Sequence, residues 1–451
     1  MKTISTTMEF AMMHLYEKEF KVTKPLSTLS IGALRALTQQ QLGPGELPLR
    51  FVITRSEPGE FVCEIAVLAG VDGHIGIQRD SLFAFTRRAP SGGDEFNAVM
   101  IVPTGVDAEI GGHDGDAGPV AMLLASMCDC LITHPNVVNA ADINELPQNG
   151  LYVEGSVICR FLLGQIGLQR VRSNRLLLVT GSNESQMFVN ATINSANAAR
   201  AAYGLECAGV LHLAPGLVMK SVYAPSGRAT GIIERIDTLF ESLTRYSGEF
   251  DAIAIASPVH MQDERHAAYF SGNLGAANPW GGVEAMLTHA ISTQFDVSSA
   301  HAPMYEDAKL ALYDYGIVDA RKAAAVVSVT ALQCVLKGLM RSPRIVRNPA
   351  ASGAQSVMTA ADVSCFVTPD GCIGLPLLAA LAQGIPVIAV RENRTLMRND
   401  LSALPWAPGQ LHLVENYWEA AGVMAALKAG VSPGSVRRPF PPLNIVREVG
   451  Q

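Results

Sequence analysis

Charge is what this chain has least of. Only 17% of its 451 residues are Asp, Glu, Lys or Arg, while 49% are hydrophobic, so most of the chain must fold around packed interior rather than stay disordered. The net charge of −7 and the lack of any Lys/Arg run exclude a nucleic-acid footprint. No uncharged apolar run approaches the roughly 20 residues that a membrane helix needs. The opening residues, MKTISTTMEF, hold no signal-peptide apolar core, so the chain is expected to stay in the cytosol.

A disulfide framework is also missing. Cys63, Cys159, Cys207, Cys334 and Cys365 lie in apolar runs, where cysteine packs as a small hydrophobe. Cys128 and Cys130 are two apart in a predicted helix, point to different faces and suit no zinc knuckle. Cys372 sits in the turn Asp370-Gly371-Cys372, where it reads as a reactive thiol or as a buried spectator. Nucleotide signatures are lacking too. GVDAEIGG is not G-x-G-x-x-G, and no Walker lysine follows a glycine loop, so a dinucleotide cofactor is not expected.

What is present is organised around Phe96 to Glu154. An apolar strand, 97–103, runs into the loop TGVDAEIGGHDGDAGP, and an apolar helix, Val120 to Ile132, is expected after it, stopped by Thr133-His134-Pro135-Asn136. Strand, glycine loop and helix aim backbone N–H groups at an anion. Yet the loop carries Asp107, Glu109, Asp114 and Asp116, which would repel one. Either these face solvent while Asp116 N-caps the helix from Ala117, or His113, Asp114 and Asp116 enclose a divalent cation.

Further along, strands expected at 175–180, 207–212, 251–257, 362–368, 385–391 and 409–414 alternate with helices near 118–131, 155–166, 186–204, 232–246, 280–294, 319–340, 373–383 and 416–429. Continuous apolar strands of this kind belong to a sheet covered on both faces. The expected fold is α/β: a mainly parallel, doubly wound (Rossmann-like) core over residues 95–430. Residues 1–90 are expected to form a small separate α+β unit, and 431–451 a Pro-rich arm. That arm can pack on its own surface or on a second copy, which allows a homo-oligomer.

The strings IVPTGVDAEIGGHDGDAGPVA, LITHPNVVNA, YVEGSV, GGVEAMLTH, AHAP and KGLMRSP resemble the cyanobacterial and bacterial domain-of-unknown-function family numbered 3326. The resemblance covers about Asn97 to Met397, leaves the first 90 residues as an addition, and implies no activity. Near Pro369 this chain reads PDGCIGLP, where the family is richer in Thr, Ser and Ala.

Strand ends in such a core gather chemistry on one edge. His134 and His301, which titrate near working pH, are the acid–base candidates, with Asp116 or Glu154 to orient an imidazole or hold a cation. Gly105, Gly111 and Gly112 would let backbone N–H groups approach an anion, with Thr104 beside them, and Asn136 and Asn139 would hydrogen-bond the substrate. Asn144 belongs to the same polar loop, whereas His289, five residues after Glu284 on a helix, is expected on a different side. The expected function is an isomerase, lyase or hydrolase acting on a small anionic or carbonyl-bearing metabolite. Two alternatives stand. GLPLLAALAQGIPVIA looks like the nucleotide-sugar half of glycosyltransferases and epimerases, without its ribose carboxylate, and a non-catalytic binding protein uses similar clusters.

Overall fold

The computed structural model describes residues 12–440 apart from 73, 75, 90–92, 144–145, 182–184, 262, 273–276, 306, 329 and 350–355. The described strands form two large sheets and a small three-stranded one. The first large sheet has six strands, all parallel, in the order Leu411–Val414, Val387–Val390, Val363–Pro369, Asn97–Met100, Cys130–Thr133, Gly150–Tyr152. The strand met first in the chain is central, and successive strands build outward from it on either side. Its core members are buried on every residue, as in Asn97–Met100 and Val387–Val390, because helices cover both faces.

The second sheet has ten strands and is mixed. Its parallel part groups Glu206–Leu213, Arg175–Gly181, Ala252–His260 and Ser298–Met304. The last residues of Ala252–His260 also pair with Val218–Tyr223, and from there the sheet turns antiparallel through Ala229–Glu234 to the N-terminal strands. Helix Leu332–Met340 packs on Arg175–Gly181, Ala252–His260 and Ser298–Met304, and its Leu332, Val335 and Leu339 share one apolar core with Met100 and Val367 of the parallel sheet.

The expectation of one mainly parallel core is therefore corrected to two sheets, one parallel and one mixed. Residues expected to form a separate N-terminal unit supply strands to the second sheet. The predicted hairpin exists, as Glu46–Glu57 against Glu60–Ala69 with Gly59 at φ 87° in the turn. However, His14–Val22 pairs with Glu60–Ala69 on one side and with Ala229–Glu234 on the other, so residues 14–69 extend the second sheet. Strand Glu46–Glu57 also pairs with Ile373–Gly374 near the far end of the chain.

The expected helix Val120 to Ile132 is two elements. Helix Gly118–Ala125 stops, and Cys130–Thr133 is a buried strand. Asp129 decides the break: its carboxylate accepts the Phe96 N–H at 2.7 Å, and its own N–H donates to the Phe96 carbonyl at 2.8 Å. That exchange fixes the register in which Asn97 pairs with Cys130. The predicted helix 319–340 is also broken, into Ala320–Lys322, Ala323–Val326 and Leu332–Met340. Of the Pro-rich arm, Pro433–Val436 is a turn of 3₁₀ helix, and residues beyond 440 lie outside those described.

Candidate functional site

The parallel strands all end on one edge, and the loops leaving them face the second sheet. Strand Asn97–Met100 leads to Thr104, Cys130–Thr133 to His134, Gly150–Tyr152 to Glu154, and Val363–Pro369 to Cys372. Opposite them stand strand Glu46–Glu57 and helix Gly281–Phe295, and the space between is a cavity of about 210 Å³. Residues 281, 284, 285, 288 and 289 line it, the three- and four-residue spacing of one helix face.

His134 has an extended backbone before Pro135, as the residue preceding proline must. The Val102 N–H donates to its Nε2 at 3.2 Å, so the ring proton sits on Nδ1. Burial lowers its pKa to about 4; Glu154 works the other way and His289 adds to the lowering. Burial thus favours His134 as a neutral imidazole, with Nδ1 left to donate.

Glu154 caps helix Gly155–Leu162. Its Oε2 accepts the N–H groups of Ser156 at 2.8 Å and Val157 at 3.2 Å, together with the Ser156 hydroxyl. Its Oε1 accepts the Thr288 hydroxyl at 3.2 Å and lies 2.7 Å from His289 Nδ1. Burial alone would raise the pKa of this carboxyl, but His289, Ser156 and Val157 hold it below the usual range. Gly155 keeps the approach open, since a Cβ there would stand 3.0 Å from His289 Cε1.

His301 comes from strand Ser298–Met304, with its side chain fully enclosed. Its Nε2 is 3.0 Å from the Ser257 hydroxyl, and its Nδ1 is 3.5 Å from Glu284 Oε1, too far for a hydrogen bond; neither of those last two atoms has a hydrogen-bond partner. Asp114 reaches the same cavity with Oδ2 buried and unpartnered. Burial first, then Glu284 and Asp116, push its pKa up to about 8 against the pull of Lys322.

Of the other expected site residues, Thr104, Asn136 and Asn139 line the cavity. Both amides are already engaged. Asn136 Nδ2 donates to the carbonyls of Val102 at 3.0 Å and Gly111 at 2.7 Å, and Asn139 Oδ1 accepts the Tyr152 hydroxyl at 2.9 Å. Gly105, Gly111, Gly112 and Asp116 are not among the lining residues. These glycines serve close packing: a Cβ at Gly105 would meet the Ala229 carbonyl at 2.4 Å, and one at Gly112 the Ala108 carbonyl at 2.1 Å. Asp116 does not cap helix Gly118–Ala125, which starts without a side-chain cap; it accepts the His113 N–H at 3.1 Å inside the loop.

Among the described residues no group of three His, Cys, Asp or Glu side chains is placed to hold a metal, and His113 Nδ1 instead meets the Tyr269 hydroxyl at 2.7 Å. Asn144 lies outside the described residues. Cys372 lines the cavity but is buried, and burial pushes its thiol up to about 12, so it is held as the unreactive thiol. Sequence reasoning passed over Asp114 as an acid, Glu284, His289 and Arg50. His289 and Glu284 both face the cavity because its wall spans more of the helix than a single narrow stripe.

A partly open cavity at the carboxyl edge of a parallel sheet, with histidines and carboxylates set in a largely apolar lining, defines an α/β protein with a candidate site between two sheets. The chain belongs to the family described as "Protein of unknown function (DUF3326)", which matches residues 97–437, some 40 residues beyond the end expected at Met397. It is 35% identical over 356 residues to the "Uncharacterized lipoprotein syc1174_c" of Synechococcus sp. (strain ATCC 27144 / PCC 6301 / SAUG 1402/1), covering 76% of this chain and 94% of that protein. No solved structure matches. Among the described residues no helix is long and apolar enough to cross a membrane.

Proposed function

We propose that this protein is an enzyme that moves a proton at a carbon next to a carbonyl group, as an isomerase or lyase does, in a small metabolite held in the 210 Å³ cavity. The observation that carries the reading is the Glu154–His289 contact. A buried carboxylate oxygen stands 2.7 Å from Nδ1, close enough to orient the imidazole although the two are not aligned as a hydrogen bond, and Nε2 is the nitrogen left to act as the base. Neutral His134 donates from Nδ1 to the carbonyl oxygen and stabilises the enolate as charge develops there. Asp114, protonated up to about pH 8, returns a proton as the acid. His301 and Glu284, aimed at each other without bonding, form a second imidazole–carboxylate pair beside it.

The doubly wound, Rossmann-like reading of the core applies to the six-stranded sheet. Its order places the reversal between Asn97–Met100 and Val363–Pro369, and both loops leaving those strands reach the cavity. A cavity this small supports a small metabolite over a nucleotide sugar. The eight unpaired cysteines support a cytosolic setting.

The test is exchange of the α-hydrogens of short 2-oxo acids and ketones in D₂O, followed by proton NMR. The protein should accelerate exchange, and both His289→Gln and Glu154→Gln should lower the rate by roughly 10²–10⁴, the usual contribution of a positioned base. Exchange that both folded variants catalyse as well as the parent would sink the proposal.

A further inference from the structure

Arg50 lines the cavity and carries a buried donor that the proton chemistry does not use. Arg50 lies on strand Glu46–Glu57, outside the family-matched region, and its side chain is 14% exposed. It belongs to a buried set of four charges with Glu17, Glu64 and Arg228. The acceptors in that set are taken. Glu17 gives one oxygen to Arg50 and the other to Arg228; Glu64 accepts Arg228 Nε at 2.7 Å on Oε2 and the Ser226 hydroxyl at 2.5 Å on Oε1. The donors are not. Arg50 spends Nη2 on Glu17, while its Nε is buried with no partner. A guanidinium with a spare N–H and no acceptor left among the described residues is matched by an acceptor that arrives from outside.

A second feature converges on the same wall. Helix Leu375–Gln383 begins without any side-chain cap, and Gly374, Leu375 and Pro376 at its start line the cavity. Gly374 pairs with Val52, two residues along the strand from Arg50. The positive end of a helix and an under-used guanidinium thus flank one corner of the cavity. Around that corner Phe51, Ile373 and Leu377 supply apolar wall.

We infer that the cavity receives a carboxylate at Arg50 and the open start of helix Leu375–Gln383, so that its ligand is a small acid with an apolar body. This rests on reading the cavity as the substrate site, and it moves the anion site from the acidic glycine loop to the N-terminal strand. The substrate class is then a carboxylic acid carrying a carbonyl, its carboxylate on Arg50 and its reacting carbon towards His289.

The experiment is calorimetric titration of the full chain with 4-methylpentanoate and with its uncharged amide, 4-methylpentanamide. The carboxylate should bind, and the amide should bind roughly ten- to hundred-fold more weakly. Arg50→Gln should remove the difference, and Arg50→Lys, which keeps the charge but not the fork, should restore part of it. Equal binding of acid and amide, no binding of either, or an acid preference that survives in Arg50→Gln would overturn the inference. The contrast between the two ligands is read on the unaltered protein, so it stands even where a variant fails to fold. Carboxylate preference without α-hydrogen exchange would leave this inference in place and remove the proposed reaction; exchange on 2-oxo acids, unchanged in Arg50→Gln, would do the reverse.

Discussion

Asp114 gives the site its pH dependence, and the sign follows from its surroundings. Glu284 faces it from helix Gly281–Phe295, Asp116 from its own loop and Lys322 from the 3₁₀ turn Ala320–Lys322, with Tyr269 close by. Burial and the two carboxylates raise its folded pKa to about 8, above the ordinary value of 3.8. Below about pH 4 both folded and unfolded chains hold the proton. Between 4 and 8 the unfolded chain gives it up and the folded chain keeps it, so stability falls as pH rises through this window and levels off above 8. Asp114→Asn removes the penalty. Its unfolding free energy should match the parent's near pH 4 and exceed it at pH 9, by on the order of a few kcal/mol at most, with a correspondingly higher thermal midpoint there. A variant no more stable than the parent at pH 9 would show that the carboxyl is not protonated in the fold. Proton transfer that needs this acid should also fade above about pH 8 in the parent, and that alkaline limb should be missing from the residual activity of Asp114→Asn.

The glycine loop is held as an element by two asparagines. Fully buried Asn393 grips Ile110 from both sides, accepting its N–H at 2.9 Å and donating to its carbonyl at 2.8 Å, and it donates to the Tyr417 hydroxyl at 2.7 Å. Asn136 ties Gly111 to the end of the central strand. Asn393→Ala should therefore cost roughly 2–4 kcal/mol in urea unfolding, because buried backbone groups lose their partners. A loss below about 0.5 kcal/mol would mean that the loop holds its shape without that grip. Periodicity made much of this level legible. Every expected strand from residue 97 on is a strand; those buried on both faces, such as Asn97–Met100 and Val387–Val390, read as continuous apolar runs. Cys130–Thr133 and Gly150–Tyr152 were too short to separate from neighbouring apolar sequence, and Val218–Tyr223 and Ala229–Glu234 alternate too weakly to stand out. The site was legible where residues follow strands, as His134, Glu154 and Thr104 do. It was not legible where a partner comes from elsewhere in the fold: Glu154 meets His289 only once the two sheets are apposed, and Glu284 approaches His301 only once helix Gly281–Phe295 packs on strand Ser298–Met304.

At the scale of the whole molecule, the N-terminal 70 residues and the family-matched region are expected to unfold as one body. His14 and Leu15 pair with Glu234 and Ile233, and Glu46–Glu57 pairs with Ile373–Gly374, so the segment is stitched to the rest at two points far apart in sequence. Its carboxylates are also the partners of Arg228, which is 2% exposed and held well above the ordinary guanidinium range by Glu17 and Glu64 in spite of burial. A chain beginning at Glu95 would leave that charge buried without Glu17 and Glu64, at a cost of about 3–5 kcal/mol for breaking a buried pair. It would also bare the edge of strand Ala229–Glu234, a template for aggregation. The full chain should show one cooperative thermal transition by calorimetry, with calorimetric and van't Hoff enthalpies in agreement. The shortened chain should be insoluble or unfold non-cooperatively. Two resolved transitions in the full chain, or a soluble shortened chain with a sharp melt of its own, would mean that the N-terminal strands only decorate a self-sufficient core. The wall that carries Arg50 would then be an accessory to the cavity rather than part of the fold that makes it.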